Sequence, residues 1–274
     1  MKPRARNLIL DLLLANEGHA LNVRDLIGAC ALFEVSANTV RVALVRLSAE
    51  GLIEAVERGS YQLSGTAHQL ADDVATWRHA EQRIRPWSGA YLAVHCGALG
   101  RSDRSALRRR HRALQMLGFR ELERDLFVRP DNIDDSVTTV RKRLHALGLD
   151  TDACVFVATG FDAAREARIP TLWDGSALSD HYRRQRERLE AWMQRAPSLE
   201  PDVAAREAFL IGGQAIRDVV FDPLLPEPMV DTAARHAFVE SVRRFDRYGH
   251  AIWQSAREYS AQMNTPKSSR LSTH

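Results

Sequence analysis

Residues 36–61, SANTVRVALVRLSAEGLIEAVERGSY, are the stretch that most narrows what this chain can become. At about 100° per residue, Val40, Ala43, Leu44 and Leu47 fall on one helix face, while Asn38, Arg41, Val42 and Val45 fall on the opposite one. One face packs and the other is presented. Ser36 can accept a hydrogen bond from a free N–H of the first turn, and Gly51 can take the left-handed position that ends a helix. Directly behind it, Leu52-Ile53-Glu54-Ala55-Val56 is strand-like, Glu57-Arg58-Gly59-Ser60 is turn-like and Tyr61-Gln62-Leu63 returns, which makes a short hairpin.

Upstream, residues 3–16 carry Leu8, Ile9, Leu12 and Leu13 at helical spacing and end near Glu17-Gly18. Asn22 can cap a second helix over 23–33, with Val23, Leu26, Ile27 and Cys30 on one face, and Glu34-Val35 lead into the third. Three helices and a hairpin make a winged helix-turn-helix over residues 1–66, with the third helix in the recognition position. Its presented side chains suit a major groove: Asn reads adenine bidentately, Arg reads guanine or a phosphate, and valine touches a thymine methyl. The competing reading is an ordinary amphipathic helix with a solvated Arg face; the upstream helices and the hairpin weigh against it. The expected DNA contacts are Ser36, Asn38, Thr39, Arg41, Val42 and Arg46 on the helix, and Arg58, Ser60 and Tyr61 on the wing.

Charge does not force this reading. The formal charge is +3 over 274 residues, and within residues 1–64 Lys2, Arg4, Arg6, Arg24, Arg41, Arg46 and Arg58 are offset by Asp11, Glu17, Asp25, Glu34, Glu50, Glu54 and Glu57. Any DNA footprint must come from arrangement. The three cysteines, Cys30, Cys96 and Cys154, are far apart and odd in number, which argues against a disulfide framework or a cysteine zinc site. The N-terminus lacks signal-peptide architecture and no apolar run approaches the roughly 18 residues of a membrane span, so a soluble, cytoplasmic protein is expected.

Residues 66–84 read as a polar helix with Leu70, Val74 and Trp77 as its apolar positions, placed in a connector over 67–86 that could also serve a dimer. A strand over 90–95, an Arg-dense helix over 102–117, apolar runs at 119–122 and 126–129, a helix over 133–147 and a strand over 154–158 follow. Strand, helix, strand, strand, helix, strand is the split βαβ, ferredoxin-like order, assigned to residues 87–170. A helical C-terminal domain is expected over 171–262, with helices near 176–195, 201–220 and 230–259. The prolines of Phe221-Asp222-Pro223-Leu224-Leu225-Pro226-Glu227-Pro228 cannot sit inside a helix. A disordered tail is expected over 263–274. The fold class is α+β.

Taken together, the chain resembles the PaaX-type transcriptional repressors of phenylacetate breakdown. The resemblance is carried by SANTVRVALVRLSAEGLIEAVERGSYQLS, by the central block WSGAYLAVHCGALGRSDRSALRRRHRALQMLGFRELERDLFVRP, by Leu172-Trp173-Asp174 and, most specifically, by FDPLLPEPMV at 221–230. It implies a winged helix, a Cas2-like ferredoxin fold in the middle and a helical C-terminal domain. It also implies a homodimer on a palindromic operator, released when an aryl-acetyl-CoA thioester such as phenylacetyl-CoA binds. One departure bears on chemistry: family members place an aspartate just after the first central strand, where this chain has His95-Cys96-Gly97. Cas2-type nucleases hold a metal with a carboxylate there, so its absence weakens the alternative of a metal-dependent nuclease.

The remaining constellations have two readings each. His95 and Cys96 point to opposite faces of a strand and lack a third ligand, so no metal site is expected. The run Arg101, Arg104, Arg108, Arg109, Arg110, His111, Arg112 could hold phosphates of DNA or of CoA, or form a solvated face. Tyr182, Arg183, Arg184, Arg186 and Arg188 lie near Trp173 and Trp192 in sequence, where an aromatic could stack an adenine or aryl ring; both tryptophans also read as core. Arg108, Arg109, Trp173, Arg183 and Arg184 are the candidate effector residues, between the central and C-terminal parts. There is no Gly-rich phosphate loop and no nucleophile elbow, so neither catalytic residues nor a cofactor is expected. A ligand-independent architectural DNA binder is a third possibility.

Overall fold

The computed structural model describes residues 4–16, 19–64, 76–100, 102–134 and 136–263. The chain is α+β, with two antiparallel sheets. It opens with α1 (Ala5–Ala15), β1 (Leu21–Asn22), α2 (Val23–Ala31), α3 (Ala37–Ala49), β2 (Ile53–Glu57) and β3 (Ser60–Leu63). The apolar stripes converge as their periodicity requires: Leu8, Ile9, Leu12 and Leu13 meet Leu26, Cys30, Val40, Leu44 and Leu47, with Phe33, Ile53 and Leu63 closing the cluster. Asn22 caps α2, its Oδ1 accepting from the Asp25 N–H at 2.8 Å. Strand β1 was not legible, because two residues hold no alternation. It pairs antiparallel with β3, Leu21 opposite Tyr61 and Asn22 opposite Ser60, giving a three-stranded sheet in the order β1-β3-β2.

Next come β4 (Tyr91–His95), α4 (Arg104–Met116), β5 (Arg120–Glu123), β6 (Leu126–Pro130), α5 (Val137–Ala146) and β7 (Cys154–Ala158). The element order is the one read from the sequence, and the strands lie as β5-β6-β4-β7 with every neighbouring pair antiparallel. Helix α5 begins four residues later than expected. Ser136 caps it by accepting from the Thr139 N–H at 3.2 Å, while Ile133 bridges to Ile84 and Asp134 turns the chain at φ 57°.

Alternate residues of a strand face opposite sides, and β4 uses both. Leu92 and Val94 join Ala113, Leu114, Val140 and Leu144 under α4 and α5. Tyr91 and Ala93 join Val128, Ile169, Trp173, Trp192 and Phe238 on the other side. The expected boundary at 170/171 therefore crosses a shared apolar core rather than a linker. The layer on that second face is α6 (Ala163–Arg168), α7 (Gly175–Arg195), α8 (Pro201–Val220) and α9 (Thr232–Met263).

The proline loop at 221–230 lies between these layers. Gly118, at φ +75°, is needed because Pro223 Cα would stand 2.8 Å from an added Cβ, and at Gly175 the Met229 carbonyl oxygen would stand 1.7 Å from one. Asn132 donates from Nδ2 to the Leu224 carbonyl at 2.7 Å. Of the expected connector, residues 65–75 with Leu70 and Val74 lie outside the described residues. The part from Thr76–Arg83 is a 3-10 helix that buries Trp77 in the core shared with α7 and α9. It bonds to both neighbours: Arg78 Nη2 donates to Asp246 Oδ2 at 2.6 Å, and Arg83 donates twice to Asp134, each at 2.9 Å. Glu17-Gly18, Arg101 and the expected tail from 264 onward also lie outside the described residues. No helix among the described residues is long and apolar enough to cross a membrane.

Candidate nucleic-acid interface

Helix α3 is closed at both ends by its own sequence. Ser36 Oγ accepts from the Thr39 N–H at 3.2 Å and lies 2.8 Å from Thr39 Oγ1. At the other end Gly51 adopts φ +68°, the Leu52 N–H reaches the Leu47 carbonyl and the Gly51 N–H reaches that of Ser48, both at 3.0 Å. That pair of bonds is a Schellman stop, which satisfies two otherwise orphaned carbonyls. Between the caps, Val40, Ala43, Leu44 and Leu47 are buried, while Val42 is 43% and Val45 68% exposed. Asn38, Thr39, Arg41 and Arg46 are exposed beside them, as is Ser36. Among the described residues no carboxylate pairs with Arg41, Arg46 or Arg58. The face therefore combines free cations, an amide and two water-facing valines, the mixture that base edges and thymine methyls can meet.

The hairpin is a less uniform surface than its sequence promised. In β2 Ile53 alone is buried; Glu54, Ala55, Val56 and Glu57 face outward. Arg58 stands exposed at the turn, ahead of Gly59 at φ 79°. Ser60 is only 7% exposed, paired between Glu57 and Asn22, and Tyr61 packs partly against the domain core. Both were expected on the DNA face; β1, covering β3, takes Ser60 off it and leaves Tyr61 a partial edge. Gln62 Nε2 donates across the hairpin to Glu54 Oε1 at 2.7 Å. With Glu54 and Glu57 repelling anions, exposed Arg58 is the hairpin side chain able to meet a phosphate.

This unit is held to the C-terminal helices by an aromatic ladder. Phe33 meets Phe209 of α8 edge-on at 5.5 Å, and Phe209 meets Trp253 of α9 at 5.7 Å. Arg217 approaches Asp11 of α1 at 3.9 Å; burial holds the Asp11 carboxyl above its ordinary range against that pull. Neither Phe209 nor Trp253 stood out in the sequence, because each is one apolar residue on a longer helical stripe.

The candidate effector residues do not come together. Arg108 and Arg109 sit on α4, Arg183 and Arg184 on α7, and the four-stranded sheet separates the two helices, since they cover opposite faces of it. Trp173 is 5% exposed and donates from Nε1 to the Gly118 carbonyl at 3.1 Å, so it is core. Arg183 is paired with Asp180 at 2.9 Å and Asp231 at 2.5 Å, while Arg184 is exposed. Between the layers lies a cavity of about 20 Å³, lined by Arg83, Met116, Arg129, Val219, Asp222 and Leu224 among others. That is room for about one water, far below the ~300 Å³ or more of a ligand pocket. An open groove of about 480 Å³ is lined by Arg78, Asp246, Arg247, His250, Ala251 and Gln254, none of them a candidate effector residue.

His95, at the end of β4, is exposed and Cys96, just beyond the strand, is buried; burial pushes the Cys96 thiol up to about 11. Among the described residues no three His, Cys, Asp or Glu side chains converge to hold a metal ion.

A family model described as PaaX-like protein matches residues 4–67, and one described as PaaX-like protein C-terminal domain matches residues 173–255. Among solved structures, the chain is similar to the uncharacterized protein Rv0674 from Mycobacterium tuberculosis, with 20% identity and a TM-score of 0.56, over 91% of this chain and 98% of that one. At that identity the likeness is one of fold. No curated protein matches the chain.

Proposed function

The chain belongs to the PaaX-like family, and from that premise we propose that it is a sequence-specific DNA-binding repressor of an aromatic, phenylacetate-type catabolic operon. The observation that carries the reading is α3: capped at both ends, buried along one face, and presenting Asn38, Arg41, Val42, Val45 and Arg46 without ion-pair partners on the other. In this reading the N-terminal unit is a winged helix-turn-helix. The β4-α4-β5-β6-α5-β7 unit is a ferredoxin-like, Cas2-like scaffold, and the C-terminal helices brace both. Asn38 reads adenine, Arg41 reads guanine or grips phosphate, Val42 meets a thymine methyl, and Arg46 and Arg58 hold backbone phosphates.

The protein acts as a homodimer that sets two α3 helices on a two-fold axis, and its operator is an inverted repeat with half-sites about 10–10.5 bp apart or a multiple of that. Its effector is an acyl-CoA thioester such as phenylacetyl-CoA, which lowers DNA affinity; by linkage, DNA weakens thioester binding by the same factor. Family membership supports the effector, and the Arg108/Arg109 and Arg183/Arg184 pairs do not supply a single site for it. No observation favours the nuclease alternative. The test is selection of bound duplexes from a random pool, repeated with phenylacetyl-CoA. An enriched inverted repeat that is lost with the thioester is expected; a pool with no enrichment would overturn the reading.

A further inference from the structure

Helix α4 carries more charge than its fold uses. Its buried side, Arg110, Ala113, Leu114 and Met116, faces inward, and Arg110 is neutralised by Asp150 at 2.9 Å. Arg109 donates to Ser105 Oγ at 2.9 Å, and Asp103 spends a carboxylate oxygen on the Ser105 N–H at 2.7 Å. On the outer side Arg104, Arg108 and Arg112 recur every fourth residue, which aligns them in one row with about 6 Å of rise per step. Among the described residues no carboxylate lies within ion-pair distance of these three. Arg78, Arg83, Arg85, Arg165, Arg195 and Arg244 each have one, whereas among the described residues Arg41, Arg46 and Arg58 of the α3 unit, like this row, do not. Like charges four apart on a helix are destabilising, so the row costs stability that the isolated chain does not recover.

We propose that this outer row of α4 is a second DNA contact, gripping the phosphate backbone of the duplex that α3 reads. The inference rests on the repressor reading above. Three observations carry it. First, DNA affinity draws heavily on phosphate neutralisation, yet the α3 unit has no surplus: over residues 4–64 Arg4, Arg6, Arg24, Arg41, Arg46 and Arg58 are outnumbered by Asp11, Glu17, Asp25, Glu34, Glu50, Glu54 and Glu57, and Arg6 is already held by Glu50 at 2.7 Å. Second, the row is built of guanidinium groups, whose planar forks match phosphate oxygens. Its exposed neighbours Ser105, His111 and Gln115 offer polar atoms but no apolar slot for an acyl chain. Third, α4 ends beside the helix that carries the DNA-reading unit. Met116 and Leu117 share a small cavity with Val219 and Val220 of α8, and Arg217 and Phe209 of α8 reach Asp11 and Phe33 of that unit.

The test uses the full chain with R104Q/R108Q/R112Q, after thermal unfolding has checked that the exposed substitutions leave the fold intact; Arg108→Gln alone serves should the triple variant misfold. Affinity for the selected operator and for a random duplex is measured across a salt series. Each phosphate contact contributes about 0.9 to the slope of log K against log salt, so the triple variant should be shallower by about 2.7 and the single one by about 0.9. The loss should be equal on both duplexes, base preference should be unchanged, and R104K/R108K/R112K should retain the wild-type slope. An unchanged slope would overturn the proposal and leave the repressor reading standing. A loss confined to particular operator positions, or loss of CoA binding with the DNA slope intact, would overturn it too. Wild-type protein that binds no duplex at any salt would overturn both.

Discussion

Truncating Asn132 to alanine tests what locks the proline loop to the central sheet. Asn132 is fully buried just beyond β6. Its Nδ2 donates to the Leu224 carbonyl at 2.7 Å and its Oδ1 accepts from Arg129 Nη2 at 2.9 Å. Arg129 is itself 1% exposed; its Nε donates to the Pro130 carbonyl at 3.0 Å and its Nη1 to the Leu117 carbonyl. Burial draws its pKa down to about 9, a sign of how little solvent helps this cation. Asn132→Ala removes one acceptor from a buried charge and the side-chain donor from a buried carbonyl. Each such loss costs about 1–3 kcal/mol, with the charged partner toward the upper end, so about 3–5 kcal/mol is expected in all. For a chain of this size that is roughly 6–20 °C in Tm. Circular dichroism during heating, with urea unfolding followed in the far and near ultraviolet, reads it. The sheet core and the helical core share β4, so both spectral regions should shift together. A loss under about 0.5 kcal/mol, the size of an ordinary surface substitution, would show that the Asn132 link does not hold the loop.

Three further outcomes are expected. Gly175→Ala places a Cβ 1.7 Å from the Met229 carbonyl oxygen, so backbone must move and the variant should lose about 3 kcal/mol; wild-type urea resistance would contradict that packing. Arg41→Ala removes an exposed side chain without an ion pair, so stability should hold within about 0.5 kcal/mol while operator affinity falls by about 1–3 kcal/mol, concentrated on one base position if it reads a base. Unchanged affinity would remove Arg41 from the interface. Asp222 is buried, and burial holds its carboxyl above the ordinary 3.8 against the pull of Tyr182 and Arg235. A folded-state pKa above the unfolded one means the folded chain keeps its proton longer, so this group's contribution is full below about pH 3.8 and lost as pH rises through the folded value. Asp222→Asn can still accept from the Leu224 N–H, now at 2.7 Å, so its stability relative to wild type should rise with pH over that window and then level off. A difference flat in pH would refute the assignment.

The sequence by itself determined what depends on near neighbours. The buried and presented faces of α3 follow from a 3.6-residue period, and its caps at Ser36 and Gly51 join residues no more than five apart. The strand and helix order from β4 to β7 was legible for the same reason, as were the prolines that keep residues 221–230 out of a helix. Tertiary structure decided the rest. Two-residue β1 exists only because β3 is there to pair with it, and it is what hides Ser60. Trp173 becomes core because its indole meets Gly118, 55 positions away. The proline loop becomes a lock through Asn132, 92 positions from Leu224. Arg108 and Arg183, both basic and exposed, are divided by a sheet whose placement neither helix encodes. Caps and periodicity are settled within one or two turns of chain, whereas these contacts form only when separate layers pack and burial leaves each polar group a single available partner.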